Sequence, residues 1–235
     1  MTTQQIVDPG NIEPELIRLW DKLAKEKVRA CLFNLIVFNK LSLRTNYIRD
    51  IVQKVSEKYP CRVLFISSDP ASAHPYLKTA VSVVGNGTIA CDYIDIGVSG
   101  PEIERIPFLL LSHIIPDLPV SLLWTEDPSQ PHPLFEPLSK LATRMIFDSE
   151  SADSLLAFSK TILRLREERG IDTADLNWAR TEGWRDLIAS LFRSGKEVKQ
   201  IKAVRLTYNS RTTESFCHLK VQSMYLLAWL SSRLQ

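Results

Sequence analysis

Two tryptophans and two arginines stand close together in the last third of the 235-residue chain. They are Trp178, Arg180, Trp184 and Arg185, within the stretch 175–192. Trp and Arg are residue types that often anchor protein–protein interfaces. Arginine can also hold a carboxylate or phosphate through two parallel hydrogen bonds. These four residues are therefore the candidate partner-binding site.

The same stretch also has a structural interpretation. Four apolar residues recur at helical spacing and would share one helix face, namely Trp184, Leu187, Ile188 and Leu191. Such a face usually fills a core, so the pattern favours a buried Trp184. Gly183 disfavours helix and predicts a break between two short helices. An aromatic and arginine surface for a partner is the alternative, and the spacing does not choose between the two.

A second pattern that could do chemistry is Gly85-Asn86-Gly87-Thr88-Ile89-Ala90. It matches the G-x-G-x-x-A fingerprint of dinucleotide-binding proteins, which has to open a helix that faces the pyrophosphate. Residues 88–96 instead alternate between apolar and polar side chains of strand-forming types. The glycines therefore predict a hairpin turn between two antiparallel strands.

Catalytic and metal-binding patterns are missing from the sequence. The four histidines, His74, His113, His132 and His218, lie far apart and have no metal-ligand spacing. There is no G-x-S-x-G elbow, no Walker loop and no H-E-x-x-H. We expect His113 to be a hydrogen-bonded core histidine and Asp117, between two prolines, to form a turn. We predict a protein that is not an enzyme, with no catalytic residue, no metal ligand and no cofactor.

Composition indicates an ordinary soluble globular protein, with 45% hydrophobic and 24% charged residues. We find no membrane-length apolar run, no signal peptide and no C-x-x-C pair, and we expect a cytoplasmic protein with free thiols. The net charge of +2 gives no reason to expect nucleic-acid binding. Residues 160–211 nevertheless carry 12 Lys and Arg against 7 Asp and Glu. This basic region around the candidate site is either a solvated face or a surface for an acidic partner or an anionic ligand.

The elements that position these residues alternate between strands and helices. Apolar runs at 30–38, 61–67, 120–124 and 144–148 predict buried strands, and helices are predicted at 12–28, 45–58, 103–115, 134–141 and 153–169. We predict an α/β fold with a mostly parallel sheet, flanking helices and one antiparallel hairpin. The loop 125–133 follows a strand end, where open α/β sheets place ligands.

We expect the chain to be organised in three parts. Residues 1–11 are predicted to be a flexible N-terminus, and residues 12–170 an α/β domain. Residues 171–235 are predicted to be a helix–strand–helix part packed on the same sheet. Its strand is expected at 198–208 on a sheet edge, and its last helix at 212–234.

Several stretches resemble one protein family. They are Arg-Ala-Cys-Leu-Phe-Asn-Leu-Ile-Val at 29–37, Tyr-Pro-Cys-Arg-Val at 59–63, Ile-Pro-Asp-Leu-Pro-Val-Ser-Leu-Leu-Trp at 115–124, Leu-Ala-Thr-Arg-Met-Ile-Phe-Asp-Ser at 141–149, Asp-Leu-Asn-Trp-Ala-Arg at 175–180 and Trp-Arg-Asp-Leu-Ile-Ala at 184–189. In this order, over about residues 16–235, they resemble the OpcA family of glucose-6-phosphate dehydrogenase assembly or activator proteins.

The resemblance implies a non-catalytic protein of carbohydrate metabolism, in the oxidative pentose phosphate pathway. Such a protein binds glucose-6-phosphate dehydrogenase and raises its activity as an allosteric activator. Two features depart from the family pattern. Thr181-Glu182-Gly183 stands where the family usually has Leu-Thr-Pro before Trp, and family members tend to continue well past the last helix.

Two alternatives remain open at the level of sequence. One is a sugar-phosphate enzyme in which Arg180 and Arg185 hold the phosphate near an acid such as Asp117. The other is a small-molecule sensor that binds a nucleotide at the strand ends.

Overall fold

The computed structural model describes residues 4–192, 200–209 and 219–234. Within these residues nine strands form the sheet. They are β1 (Gln5–Val7), β2 (Val28–Arg29), β3 (Asn34–Lys40), β4 (Arg62–Ser68), β5 (Tyr76–Val84), β6 (Ile89–Ser99), β7 (Val120–Trp124), β8 (Arg144–Phe147) and β9 (Asp172–Asp175).

Eight α-helices belong to the same described residues. They are α1 (Ile12–Leu23), α2 (Thr45–Lys58), α3 (Ile106–His113), α4 (Phe135–Leu141), α5 (Leu155–Arg169), α6 (Leu176–Arg180), α7 (Glu182–Leu191) and α8 (Leu219–Arg233). Short 3-10 turns lie at Pro9–Asn11, Gly100–Arg105 and Ser149–Ser151. A candidate membrane-spanning helix is not found among the described residues.

The sheet runs in the order β1-β5-β6-β4-β3-β7-β8-β9, and β2 pairs with one end of β6. The pairs from β6 through β4, β3, β7 and β8 to β9 are parallel. Strand β5 is antiparallel to β6, and β1 is antiparallel to β5. The predicted α/β fold, with its mostly parallel sheet and its antiparallel hairpin, is confirmed.

Both faces of the central strands are buried, which explains their continuous apolar sequence. Ile36 and Phe38 of β3 belong to a core that includes residues of α1, α3, α4 and α5. Leu35 and Val37 point the other way, into a smaller core covered by α2. The period-two alternation of a strand therefore sends successive apolar residues into two different layers.

The hairpin turn contains Gly85 and Gly87, as the sequence predicts. Gly87 has a φ of 64°, in the left-handed region that favours glycine. A Cβ on Gly85 would lie 2.3 Å from the carbonyl oxygen of Ile89. Strand β6 begins directly after the turn, so no helix starts at these glycines.

Four expected elements need correction, and one strand was not expected. Residues 5–7 form β1, whose three residues are too few to show a period, so the expected flexible start is wrong for this segment. Helix α1 ends at Leu23 and not at 28. The helix expected at 103–115 is α3, which runs only from Ile106 to His113 after a 3-10 turn, and Pro107 lies in its first turn, where a residue needs no N–H partner.

The fourth correction and the unexpected strand concern the C-terminal part. The prediction of an edge strand at 198–208 is wrong for the residues that the structure describes, since 200–209 contain no strand. Residues 198–199 lie outside the described part. Strand β9 was not expected, because Asp-Thr-Ala-Asp has no apolar period, and it adds to the sheet beside β8. The last helix is described from Leu219, and residues 212–218 of the expected helix lie outside the described part. The division of the chain at residue 170 stays a prediction.

A buried ionic cluster ties α1 and α3 to the sheet. Asp92 of β6 is 2% exposed and accepts hydrogen bonds from Trp20 Nε1 at 2.7 Å, Arg29 Nη2 at 2.6 Å and two nitrogens of Arg62 at 2.9 and 2.7 Å. Arg62 Nη1 also donates to Glu13 Oε1 at 2.7 Å.

The expected core histidine belongs to the same cluster. His113 is buried, and its Nδ1 lies 3.0 Å from Glu13 Oε1. The hydrogen bond from His113 and the charge of Arg62 lower the pKa of Glu13 below its ordinary value, against the opposing effect of burial. The prediction of a hydrogen-bonded core His113 is confirmed.

Candidate partner-binding site

Asp175, the last residue of β9, fixes the start of the candidate site. Its Oδ1 accepts hydrogen bonds from the backbone N–H groups of Asn177 at 2.7 Å and Trp178 at 3.2 Å, which caps α6. Ser149 Oγ donates to the same oxygen at 3.0 Å. Burial raises the pKa of the Asp175 carboxyl. The sheet therefore sets the position of α6 through one aspartate at the carboxyl edge of β9.

Trp178 is 41% exposed and is held on two sides. The guanidinium of Arg185 lies 3.7 Å from the centroid of its ring. Arg185 Nη1 also donates to the carbonyl oxygen of Trp178 at 2.8 Å and to Thr181 Oγ1 at 2.7 Å. The Tyr225 ring of α8 meets Trp178 edge-on, at 6.1 Å and 85°. Arg185 thus fixes the indole and links α6 to α7.

The Arg180 side chain is directed inward, toward the carboxyl edge of the sheet. Its Nη1 donates to Asn177 Oδ1 at 2.9 Å and lies 3.7 Å from Asp148 Oδ1. Asp148 also pairs with Arg44 Nη2 at 2.9 Å, and the fully buried Asn177 donates to Asp148 Oδ1 at 2.9 Å. Arg180 therefore closes a charged pair within the molecule.

Trp184 points away from the protein. It is 56% exposed, and Leu187 and Leu191 on the same face of α7 are exposed too, while Ile188 is half-buried. The expectation that Trp184 fills a core is wrong. Helical spacing shows that side chains share a face but does not show what covers that face.

The break between α6 and α7 lies at Thr181, two residues before the expected Gly183. Thr181 is fully buried, and its Oγ1 donates to the carbonyl oxygen of Trp178 at 2.7 Å. The backbone N–H of Thr181 donates to the same carbonyl at 3.1 Å, an i→i−3 bond that tightens the last turn of α6. Gly183 lies in the first turn of α7, where glycine costs less than in a helix interior.

The four predicted site residues thus have different positions. Trp178 and Arg185 lie in direct contact, Arg180 lies against Asp148, and Trp184 stands exposed on α7. Sequence reasoning missed Asn177 and Tyr225. The Asx-cap position of Asp175 could have indicated the first, but no local signal joins Tyr225 to a site 50 residues away.

Asp117 lies at the other end of the sheet. It precedes β7, whereas Arg180 follows β9, and the two strands run parallel. With a φ of 65°, Asp117 takes the left-handed turn conformation that aspartate tolerates better than most residues. The arrangement expected of a sugar-phosphate site, with both arginines near Asp117, is therefore not formed.

The loop 125–133 lies at the carboxyl edge of β7 and is tied down by its own polar groups. Asp127 accepts hydrogen bonds from the backbone N–H groups of Ser129 at 2.8 Å and Asp153 at 2.9 Å. His132 packs against the stacked rings of Phe38 and Trp124. Burial, helped by the charge of Lys40, lowers the pKa of His132 to about 4. His132 is therefore a neutral part of the packing at neutral pH.

In the described part of the chain no three His, Cys, Asp or Glu side chains are grouped so that they could hold a metal ion. The contacts at the candidate site include cation–π stacking, aromatic packing, helix capping and the Arg180–Asp148 charged pair. Such contacts can hold a surface rigid for a partner.

Comparison with known proteins gives two family models that match the chain. One describes the N-terminal domain of a glucose-6-phosphate dehydrogenase subunit and matches residues 52–165. The other describes the C-terminal domain of the same kind of subunit and matches residues 171–235, which include all four candidate residues. Together they cover more than half of the chain.

Two similar proteins carry the name "Putative OxPP cycle protein OpcA". The one from Nostoc punctiforme is 26% identical over 200 residues, which are 79% of this chain and 40% of the relative. The one from Synechocystis sp. is 24% identical over 196 residues, 79% of this chain and 39% of the relative. The chain spans about two fifths of the length of these relatives. With the two models that match it in order, the chain belongs to the OpcA glucose-6-phosphate dehydrogenase assembly family.

Proposed function

We propose that the chain binds glucose-6-phosphate dehydrogenase and helps to assemble or activate it, without catalysing a reaction itself. The proposal places this role in the cytoplasm, in the oxidative pentose phosphate pathway. It includes no cofactor, and no contact with nucleic acid or membrane. The observation that carries the proposal is the match of both dehydrogenase-subunit models, in order, to residues 52–165 and 171–235.

An exposed apolar face on α7 supports a role in binding. Trp184, Leu187 and Leu191 stand on this face with their side chains largely in water. Clustered large apolar side chains at a surface mark interaction sites more often than isolated ones do. Trp184 is the residue on this face that would contribute most as an anchor.

The contacts beneath α7 support the same role, because they fix the helix before any partner arrives. Arg185 joins α7 to α6 by stacking on Trp178, and Asp175 caps α6 at the end of β9. A surface that is already ordered loses less entropy on binding. In this proposal Trp184 contacts the dehydrogenase, Trp178 and Arg185 position α7, and Arg180 holds the sheet edge.

A matched pair of exposed aromatic residues tests the proposal. Trp184→Ala should keep its melting temperature, because the side chain is mostly exposed, and should bind the dehydrogenase at least about tenfold more weakly. Phe108→Ala is the control, since Phe108 of α3 is 73% exposed and lies outside the candidate site. If both variants bind and stimulate the dehydrogenase as well as the unchanged chain does, the contact lies outside α7.

The two alternative functions have a common test. Thermal-shift measurements with glucose-6-phosphate, 6-phosphogluconate, NADP and ATP detect a small-molecule site, because a ligand at 100 times its dissociation constant adds about 2.7 kcal/mol. We expect no shift with any of the four. The opposite-edge position of Asp117 relative to Arg180 gives no support to the sugar-phosphate enzyme.

A further inference from the structure

A groove of about 400 Å³ lies beside β9, between α5, α6 and α8. Its walls are mostly apolar: Phe158, Ile162 and Leu163 of α5 form one side, and the rings of Trp178 and Tyr225 form the other. Residues 173–175 of β9 line the groove as well. The groove is therefore continuous with Trp178 of the candidate site, but Trp184, assigned above to partner contact, is not among the residues that line it.

Strand β9 ends the sheet in the part of the chain that the structure describes. Among the described strands it pairs with β8 alone, and Ala174 in its middle is exposed. In a parallel ladder, alternate residues direct their N–H and C=O groups to opposite sides of the strand. An edge strand of this kind offers backbone donors and acceptors to a further extended chain.

The groove also carries a charged side chain that a ligand could pair with. Arg166 lines it and is exposed, and its guanidinium makes no hydrogen bond or ion pair with any residue within 4–192, 200–209 or 219–234. Arg169, one turn further along α5, is paired with Glu136. The Asp175 carboxyl already accepts the capping hydrogen bonds of α6 at Oδ1, and Tyr225 Oη donates to its Oδ2 at 3.2 Å. The available charge in the groove is therefore positive.

We propose that this groove binds an extended segment of the dehydrogenase, which adds as a strand to the edge of β9 that no described strand occupies. The segment places a large apolar side chain between Leu163 and the Trp178 and Tyr225 rings, and a carboxylate against Arg166. Main-chain hydrogen bonds give such strand addition its affinity, and side-chain pockets give it its specificity. The inference rests on the proposed function and adds a second contact to the α7 face.

Two matched pairs on α5 test the assignment by binding to purified dehydrogenase. Arg166→Ala is compared with Arg164→Ala, because both arginines are exposed but only Arg166 lines the groove. Leu163→Ser is compared with Leu156→Ser for the same reason. Each groove variant should raise the dissociation constant about tenfold, and each control by less than about twofold. Arg166→Ala should also lower the salt dependence of binding.

Hydrogen exchange of the unchanged chain provides a readout that needs no variant. The β9 amides that point away from β8, those of every second residue of 172–175, should exchange at least about tenfold more slowly in the presence of the dehydrogenase, because strand addition bonds them. Protection confined to α7, with groove variants that bind as tightly as their controls, would overturn the groove assignment and leave the proposed function standing. Groove variants that change self-association alone would assign the edge to a second copy of the chain and overturn the proposal. An unchanged chain that does not bind the dehydrogenase would overturn both.

Discussion

Removal of the charge on Asp92 should be among the most damaging single changes in this protein. Asp92→Asn keeps the size of the side chain but removes the negative charge that faces Arg62 and Arg29. Arg62 is buried, and its remaining acidic partner, Glu13, is partly exposed at the cluster rim. The substitution therefore removes the buried one of the two carboxylates that balance Arg62 and leaves the partly exposed Glu13 to balance it.

The magnitude follows from the burial of this pair. Breaking a buried ion pair by removing one partner costs about 3–5 kcal/mol. In addition, the Asn amide can place an N–H group where Trp20 Nε1 or an arginine nitrogen now donates. For a chain of this size such a loss lowers the melting temperature by roughly 10 °C.

Asp172→Asn is the matched control. Asp172 also pairs with an arginine on a neighbouring strand, Arg144, but both side chains are largely exposed. Such a pair contributes about 0–1 kcal/mol. Urea unfolding followed by circular dichroism and by tryptophan fluorescence gives both values. A loss for Asp92→Asn below about 1 kcal/mol, equal to that of the control, would refute the view that this cluster holds α1 and α3 on the sheet.

Three further predictions concern the hairpin, the packing of His132 and catalysis. Gly87→Ala should lower the free energy of unfolding by about 1 kcal/mol because of its positive φ. Gly85→Ala should lower it by more, because of these two glycines only Gly85 has backbone in the way of a Cβ, with the Ile89 oxygen at 2.3 Å. Equal losses in chemical denaturation would contradict this. The pKa of His132 is about 4 in the folded chain against an ordinary 6.5, so the unfolded chain binds the proton first and stability falls as the pH drops through this window. The loss should be roughly 2 kcal/mol for a half-buried ring, and unfolding of His132→Gln should lack this part of the pH dependence; an unchanged pH dependence would disprove the assignment. The purified chain should oxidise no glucose-6-phosphate with NADP or NAD, and turnover that vanishes on mutation of one of its own residues would disprove this.

The fold was largely predictable because its central strands and helices carry local signals. The apolar run at 120–124 and the helix at 45–58 have the bounds that their sequence indicates. Gly170 ends α5 in the left-handed conformation, as its place after a helical segment predicts. Continuous apolar runs predict strands that are buried on both faces, and this sheet contains several of them.

The features that the sequence did not predict depend on contacts between distant parts of the chain. Arg62 lies within an apolar run, and its partners Asp92 and Glu13 are 30 and 49 residues away in sequence. Strand β9 has no apolar period and is a strand because β8 offers it an edge. Exposure of the Trp184 face could not be predicted either, since the amphipathic pattern of a core helix and of a docking helix is the same.

Titration of purified glucose-6-phosphate dehydrogenase with the purified chain tests the central claim most directly. NADPH formation and the mass of the complex are followed in the same samples, by absorbance and by light scattering. The proposed function predicts that a complex forms and that dehydrogenase activity or assembly rises and saturates with its formation. A dehydrogenase that keeps its mass, its oligomeric state and its activity at a large excess of the chain would contradict it.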